Sequence, residues 1–246
     1  MILAAGKGSR MLPLTRNKPK ALIEVQGVSL LEHTIRYLKY YGVGEIIINI
    51  HHLGEQIIDF IKKNNAFGLR IEFSDERDEL LDTGGGLLKA SWFFDDGRPF
   101  IVTSSDVITD LNLYEMYSFH SRISPMATLA VKQRKSSRDF LFDRDYRLCG
   151  WHNNLSGESR IVRQVQDQVK TAFSTIHIVD PVIFNHITEQ GRFSIIDVYL
   201  RLAASQTIMG YAHDRSFWFE CGRIENLDKL NHEPEIQTIY HHFHPS

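Results

Sequence analysis

The feature that most narrows what this chain can fold into is a rhythm. Short apolar runs alternate with amphipathic stretches four times in roughly the first 105 residues. Residues 1–5 are apolar and stop at Gly6, as a buried strand does when it enters a loop. Ser29 followed by Glu32 forms a capping box, and Leu31, Ile35, Leu38 and Tyr41 then recur at helical spacing until Gly42 closes the helix. Glu45–Ile50 (EIIINI) reads as a buried strand, residues 55–63 as a short helix with Ile57, Ile58 and Ile61 inward, and residues 69–73 as a third strand. A helix over 86–94 and a strand over Phe100–Ser104 follow. Strands separated by helical crossovers make a parallel sheet covered on both faces.

Beyond that point the rhythm stops. Residues 126–131, 140–142, 147–151 and 172–179 read as strands joined by polar turns, and 193–205 and 225–231 as helices. No repeat, low-complexity tract or linker interrupts the chain, so the expectation is one α/β domain with a mixed, mostly parallel sheet flanked by helices. A length of 246 residues lets about three quarters of the extended chain's surface be buried, enough for a core without staples. Lys and Arg number 28 against 30 Asp and Glu, a formal charge of −2, which removes the compositional case for a nucleic-acid binder but not for small anions. No apolar run approaches the ~18 residues of a membrane span, and five apolar residues before Gly6 are too few for a signal peptide. The two cysteines, Cys149 and Cys221, make no disulfide framework, and a cytoplasmic setting is the expectation. Cys221 reads as a small buried filler, and His241, His242 and His244 as a frayed tail rather than a metal site.

The segment with most chemical content is residues 3–25, LAAGKGSRMLPLTRNKPKALIEV. A glycine-bearing loop directly after the first strand of a parallel sheet lies at the strand's carboxyl end, where ligands bind in such folds. Gly6 and Gly8 allow backbone N–H groups close to a phosphate, and Lys7, Arg10 and Lys20 put three cations on the same loop. Neither a Walker A loop nor a G-x-G-x-x-G fingerprint is present. The third glycine that a Rossmann oxidoreductase needs is therefore missing.

Over its whole length the segment resembles the signature of sugar-1-phosphate nucleotidyltransferases, L-A-A-G-x-G-T-R-M-x-P-L-T followed by P-K-x-L. The matching residues are Leu3, Ala4, Ala5, Gly6, Gly8, Ser9, Arg10, Met11, Pro13, Leu14, Thr15, Pro19, Lys20 and Leu22, with serine for threonine at Ser9. The resemblance implies a Rossmann-like, GT-A-like nucleotide-diphospho-sugar transferase fold. Residues 1–110 would be its nucleotide-binding half and 111–246 its sugar-binding half. It also implies that the loop, Lys7 included, wraps a triphosphate, with Arg10 on the β- and γ-phosphates and Lys20 at the reacting centre. Asp82-Thr83-Gly84-Gly85-Gly86 resembles the family's turn facing the nucleobase, which would put Thr83, Gly84 and Gly85 on the nucleotide. Ser105-Asp106-Val107 is similar to the family's G-D, whose aspartate holds Mg²⁺, and Trp218-Phe219-Glu220-Cys221-Gly222 to its W-x-D-x-G, whose carboxylate is the second metal ligand.

Two departures stand out, serine for glycine at Ser105 and glutamate for aspartate at Glu220. Ser105 adds a side chain beside the phosphates, and the extra methylene of Glu220 is expected to displace its strand or to interpose water. Within the family, LLDTGGGLLKA is most similar to N-acetylmuramate 1-phosphate uridylyltransferases, more so than to the L-G-T-A-G of mannose-1-phosphate guanylyltransferases. The implied reaction is NTP + sugar 1-phosphate → NDP-sugar + pyrophosphate, with Mg²⁺ and with UTP as the nucleotide, by a monomer or homodimer. A catalytically silent, nucleotide-sugar-binding regulatory homologue is the alternative of another class. The retention of Arg10, Lys20 and Asp106 weighs against it.

Overall fold

The structure, a computed structural model, describes residues 1–243. In chain order β1 (Ile2–Leu3), β2 (Glu24–Val25) and β3 (Val28–Ser29) precede α1 (Leu30–Tyr40), β4 (Glu45–Ile50), α2 (Gly54–Lys63) and β5 (Arg70–Asp75). Next come α3 (Asp82–Lys89), β6 (Phe100–Ser104), β7 (Val107–Thr109) and α4 (Leu113–Ile123). β8 (Ala127–Lys132), β9 (Arg138–Phe142), β10 (Leu148–Asn153), β11 (Ser159–Ile161) and β12 (Val169–Val179) follow. The chain continues through α5 (Ile195–Leu202), β13 (Ile208–Ala212), β14 (Trp218–Glu220), α6 (Ile224–Asn231) and α7 (Pro234–Phe243).

These elements form two compact units, one of residues 1–80, 103–111 and the segment from Ser216 on, the other of 81–102 and 112–215. Neither is contiguous, so the halves expected from sequence, 1–110 and 111–246, do not coincide with them. Residues 81–102 join the second unit, and the chain from Ser216 returns to the first.

In the first unit β5, β4, β1 and the end of β6 lie side by side in parallel, with Leu3 opposite both Asn49 and Ser104 and Ile50 opposite Asp75. Ile46, Ile47, Ile48 and Ile50 are all buried, the continuous apolar run that a strand covered on both faces requires. The Ser29 cap is formed, its hydroxyl accepting from the Glu32 amide, a contact worth about 1 kcal/mol, while the Glu32 carboxylate accepts from Arg36. α7 packs on α1, with Tyr240 and His33 ring centroids 5.0 Å apart and Phe243 and Tyr37 5.1 Å apart. His241 and His242 are thus part of an ordered helix rather than a frayed tail, while His244 lies outside the described residues. The buried positions Ile236, Ile239, Tyr240 and Phe243 supply the helical spacing that explains the helix.

The strand expected over residues 1–5 ends at Leu3, because the next amide is taken by a side chain rather than by a neighbouring strand. The helix expected over 86–94 begins earlier, at Asp82. α4, not expected at all, starts where the Asn112 side chain accepts from the Glu115 amide and buries Leu113, Met116 and His120.

The second unit is mixed. β12 runs antiparallel to β8 and β9, β10 antiparallel to β9 and β11, and β13 parallel to β8. Its interior holds a ring stack, Phe94 on Phe100 at 3.7 Å and Phe100 near Phe184 at 5.8 Å. It also holds three buried histidines, each against one hydroxyl. His120 meets Thr128 at 2.9 Å, His213 meets Ser174 at 2.7 Å and His177 meets Tyr199 at 2.5 Å.

Burial pushes His120 and His213 down to about 4 and His177 down to about 3. In the unfolded chain each would titrate near 6.5. Between about pH 6.5 and 4 the unfolded chain therefore binds protons that the folded chain refuses, and stability falls as pH falls through that window. We expect the urea midpoint to drop steadily from pH 7 to pH 5, above most carboxylate titration. A midpoint unchanged over that interval would contradict neutral, buried imidazoles.

Candidate active site

The loop after β1 is tied down at both ends and open in its middle. Ala4 and Ala5 are buried, whereas Gly6, Lys7, Ser9 and Arg10 are exposed. Gly8 has φ +65°, and a Cβ there would lie 2.8 Å from the Thr15 methyl, so conformation and space both demand glycine. The Gly8 carbonyl accepts from the Met11 amide and from the Thr15 hydroxyl, each at 2.8 Å. Met11 and Thr15 are themselves buried and hold this turn from beneath. The exposed stretch between these anchors presents backbone to solvent at the carboxyl end of a parallel sheet, which suits an anion.

Two carboxylates reach the same unit from opposite ends of the sequence. Asp106 stands one residue before β7, and Glu220 is the last residue of β14, paired in register with Val107. The Cys221 amide donates to the Asp106 carbonyl at 2.7 Å, and the Asn226 side chain donates to the Glu220 carbonyl at 2.7 Å. One Asp106 oxygen is in direct contact with the Lys20 ammonium and the other accepts from the Ser104 hydroxyl. Burial pushes the Asp106 carboxyl up. Lys20 beside it and the Ser104 hydroxyl outweigh that and hold it below the usual carboxylate range. The Arg10 guanidinium lies 3.6 Å from a Glu220 oxygen, and both side chains are well exposed. Cys221 is wholly buried, and burial together with the Asp106 and Glu220 charges pushes its thiol up, so it is a filler and not a nucleophile.

The departures from the signature are absorbed locally. Ser105 is 5% exposed and its amide continues the ladder to the Leu3 carbonyl at 3.1 Å, so its side chain does not stand out on the surface. β14 stays in continuous register with β7 through Glu220. Room for the longer side chain comes from Gly222, where a Cβ would lie 2.8 Å from the Glu220 carboxylate oxygen and 3.4 Å from the Arg10 guanidinium. Glutamate folds back over a residue that has no side chain.

The Asp82–Gly86 segment is the first turn of α3 and not a free turn. The Gly84 and Gly85 amides donate to the Phe193 carbonyl at 2.9 and 3.3 Å, and the Thr83 hydroxyl accepts from the Ile195 amide at 3.0 Å. A Cβ on Gly84 would meet the Phe193 ring at 2.4 Å, and one on Gly85 the Gly191 carbonyl at 2.4 Å. These glycines therefore have a packing reason of their own in the second unit.

Among the described residues no three His, Cys, Asp or Glu side chains gather into a metal-binding group. Asp106 and Glu220 are nonetheless a fitting pair for Mg²⁺, which binds through one or two carboxylates with the remaining positions left to water and substrate phosphates.

Comparison with known proteins settles the family. A family model described as nucleotidyl transferase matches residues 1–140. N-acetylmuramate alpha-1-phosphate uridylyltransferase of Neisseria meningitidis serogroup B is 30% identical over 227 residues, covering 92% of this chain and 94% of that protein. The chain belongs to the nucleotidyl transferase family. Mannose-1-phosphate guanyltransferase of Yarrowia lipolytica is 27% identical, covering 97% of this chain and 67% of that protein. The fold matches the inositol-1-phosphate CTP transferase from T. maritima with a TM-score of 0.75 at 12% identity, over 100% of this chain and 95% of that one. As a member of this family the chain is a sugar-1-phosphate nucleotidyltransferase.

Arg10 and Lys20 both sit on the nucleotidyl transferase signature, yet the structure separates their energetics. The Lys20 and Asp106 side chains are 16% and 8% exposed, and removing one partner of such a pair strands the other charge, a cost of about 3–5 kcal/mol. The Arg10–Glu220 pair is exposed, worth about 1 kcal/mol or less. We therefore expect Lys20→Ala to lower both stability and turnover, and Arg10→Ala to lower turnover by roughly 10²–10³ with little loss of stability. Urea denaturation of both variants checks the contrast, and equal midpoints would refute it.

Proposed function

We propose that this enzyme transfers uridylyl from UTP to N-acetylmuramic acid 1-phosphate with Mg²⁺, releasing pyrophosphate. The observation that carries the reading is the pairing of two loop cations with two carboxylates, Lys20 with Asp106 and Arg10 with Glu220, beside an open glycine loop. Both reactants are multiply anionic, and at 4 Å two unit charges repel by about 4 kcal/mol at an effective dielectric of 20. On binding, Lys20 and Arg10 exchange their carboxylate partners for phosphate oxygens, Arg10 taking the outer phosphates and Lys20 the reacting centre. Mg²⁺ held by Asp106 and Glu220 would supply the remaining charge neutralisation. An oxygen of the sugar 1-phosphate forms a bond to the α-phosphorus while the bond to the β-phosphate oxygen breaks, and its electrons leave with pyrophosphate. The attacking group is already anionic, so no protein nucleophile is needed, and the buried Cys221 takes no part. Ala4 to Ser9 approach the triphosphate through the backbone.

The choice of UTP and an N-acetylated sugar draws support from the T-G-G-G stretch and from the Neisseria relative, which aligns over 92% of this chain. The second reading, GTP with mannose 1-phosphate, draws on the Yarrowia relative. Pyrophosphate release across a panel of nucleotides and sugar 1-phosphates tests both. We expect UTP with N-acetylmuramic acid 1-phosphate to turn over fastest. Equal or better turnover of GTP with mannose 1-phosphate would overturn the substrate assignment and leave the reaction class standing, while no turnover of any pair would favour a silent homologue.

The metal assignment has its own test. Glu220→Gln keeps the shape over Gly222 and removes a charge, so the Mg²⁺ concentration for half-maximal rate should rise. Asp106→Asn should cost more, since it also breaks the buried pair with Lys20. A Mg²⁺ titration of Glu220→Gln that matches wild type throughout would make Glu220 a bystander.

A further inference from the structure

A strand buried on both faces has no obvious use for an amide side chain, yet β4 carries Asn49 between Ile48 and Ile50, at 3% exposure. A buried polar side chain needs partners on all its groups, and Asn49 has two. Its Oδ1 accepts from the Ala4 backbone N–H at 2.7 Å, and its Nδ2 donates to Glu76 Oε1 at 2.7 Å. The Ala4 N–H can only donate, so it fixes which way the amide faces and turns the Asn49 Nδ2 towards Glu76.

Glu76 is a wholly buried carboxylate one residue beyond β5. Its backbone is held from several sides. Its amide donates to the Ile50 carbonyl at 2.7 Å, and its carbonyl accepts from the Glu79 amide at 3.1 Å and meets His51 Nδ1 at 2.7 Å. A fixed post at the carboxyl end of β5 thus acts through a fixed amide on β4 upon the first residue after β1.

Ala4 is where β1 stops and the signature loop starts. Leu3 still pairs with both neighbouring strands, Asn49 on one side and Ser104 on the other. The next amide leaves the ladder because Asn49 claims it, and this capture sets the direction in which Ala4, Ala5 and Gly6 depart. We infer that Glu76 and Asn49 are positioning residues that aim the nucleotide-binding loop, with Glu76 acting through Asn49 on the Ala4 amide. The inference rests on the reading of that loop as the triphosphate site. A loop that binds through its backbone has no side chain with which to correct a misdirected start. A displacement of about 1 Å at a reacting centre can cost on the order of 10²-fold in rate.

The test separates aiming from mere stability. Asn49→Leu removes the relay and takes a hydrogen-bond donor from the buried Glu76 side chain, so it should lose stability as well as activity. Replacing both partners by apolar groups can be nearly neutral in stability, so Asn49→Leu with Glu76→Leu should recover much of the thermal midpoint. In that double variant we expect KM for the nucleotide to stay raised by roughly tenfold or more, with KM for the sugar 1-phosphate changed by less than about threefold. Glu76→Gln keeps an acceptor for the Asn49 amide and should stay within about threefold of wild type in both constants. Amide hydrogen exchange gives a second readout without substrate, and the Ala4 amide should exchange at least about tenfold faster in the double variant than in wild type. A double variant that regains wild-type nucleotide KM, or an Ala4 amide as protected as in wild type, would overturn the relay. Wild-type protein that turns over no nucleotide would instead sink the reading of the loop, and the exchange measurement would still decide the relay.

Discussion

Everything chemical in this molecule depends on a short ladder between two three-residue strands, β7 and β14, more than a hundred residues apart in sequence. Its bonds are few and well made. The Thr109 hydroxyl donates to the Phe217 carbonyl at 2.6 Å, the Phe217 amide to the Asp110 carboxylate at 2.7 Å, and the Cys221 amide to the Asp106 carbonyl at 2.7 Å. Closing so long a stretch costs conformational entropy that grows slowly with length, so a handful of bonds can hold it once both strands belong to the same packed unit. Without that ladder Glu220 and Arg10 would have no reason to meet. The return of the chain from Ser216 is also what makes the first unit discontinuous.

The parallel half of the fold was readable because its physics is periodic. The bounds of β4 and β6 coincide with the apolar runs that announce them, and the Ser29 cap marks the start of α1 to the residue. Where the reading failed, a local signal was outvoted by a tertiary one or was overlooked. β1 is shorter than its apolar run because Asn49 takes the Ala4 amide, which no inspection of residues 1–5 could reveal. α7 hides behind histidines that suggest a tail, although Ile236, Ile239, Tyr240 and Phe243 are spaced for a helix face. α4 had a legible cap in Asn112 and Glu115.

The candidate site was legible in its residues and not in their couplings. The signature placed Arg10, Lys20, Asp106 and Glu220 in one family pattern, and the structure brings them together in two pairs. Nothing in the sequence distinguishes the buried pair from the exposed one. Nor does spacing disclose that Thr83, Gly84 and Gly85 are spent on the Phe193 segment, because a glycine needed for close packing and a glycine needed for a ligand are written the same way. Asn49 and Glu76 were missed for a related reason. The one available signal was an asparagine inside an otherwise apolar strand, and its meaning lies in a partner 27 residues away.

The two ion pairs also bear on why such a site can exist before its substrates arrive. Lys20 and Asp106 are both largely removed from water, and each is the other's charge partner. In the proposed reaction an anionic nucleotide and a cation would bring replacement partners for both at once. Phosphate oxygens would suit the lysine and a metal the carboxylate, so that no buried charge would be stranded during the exchange. Either partner alone would leave one behind. The exposed pair needs no such coordination, because water screens Arg10 and Glu220 whatever their distance. The space over Gly222 then gives the Glu220 carboxylate somewhere to rest against Arg10 without disturbing the ladder beneath it. A glutamate can therefore stand where the signature has aspartate, because the glycine two residues on leaves space for its extra length.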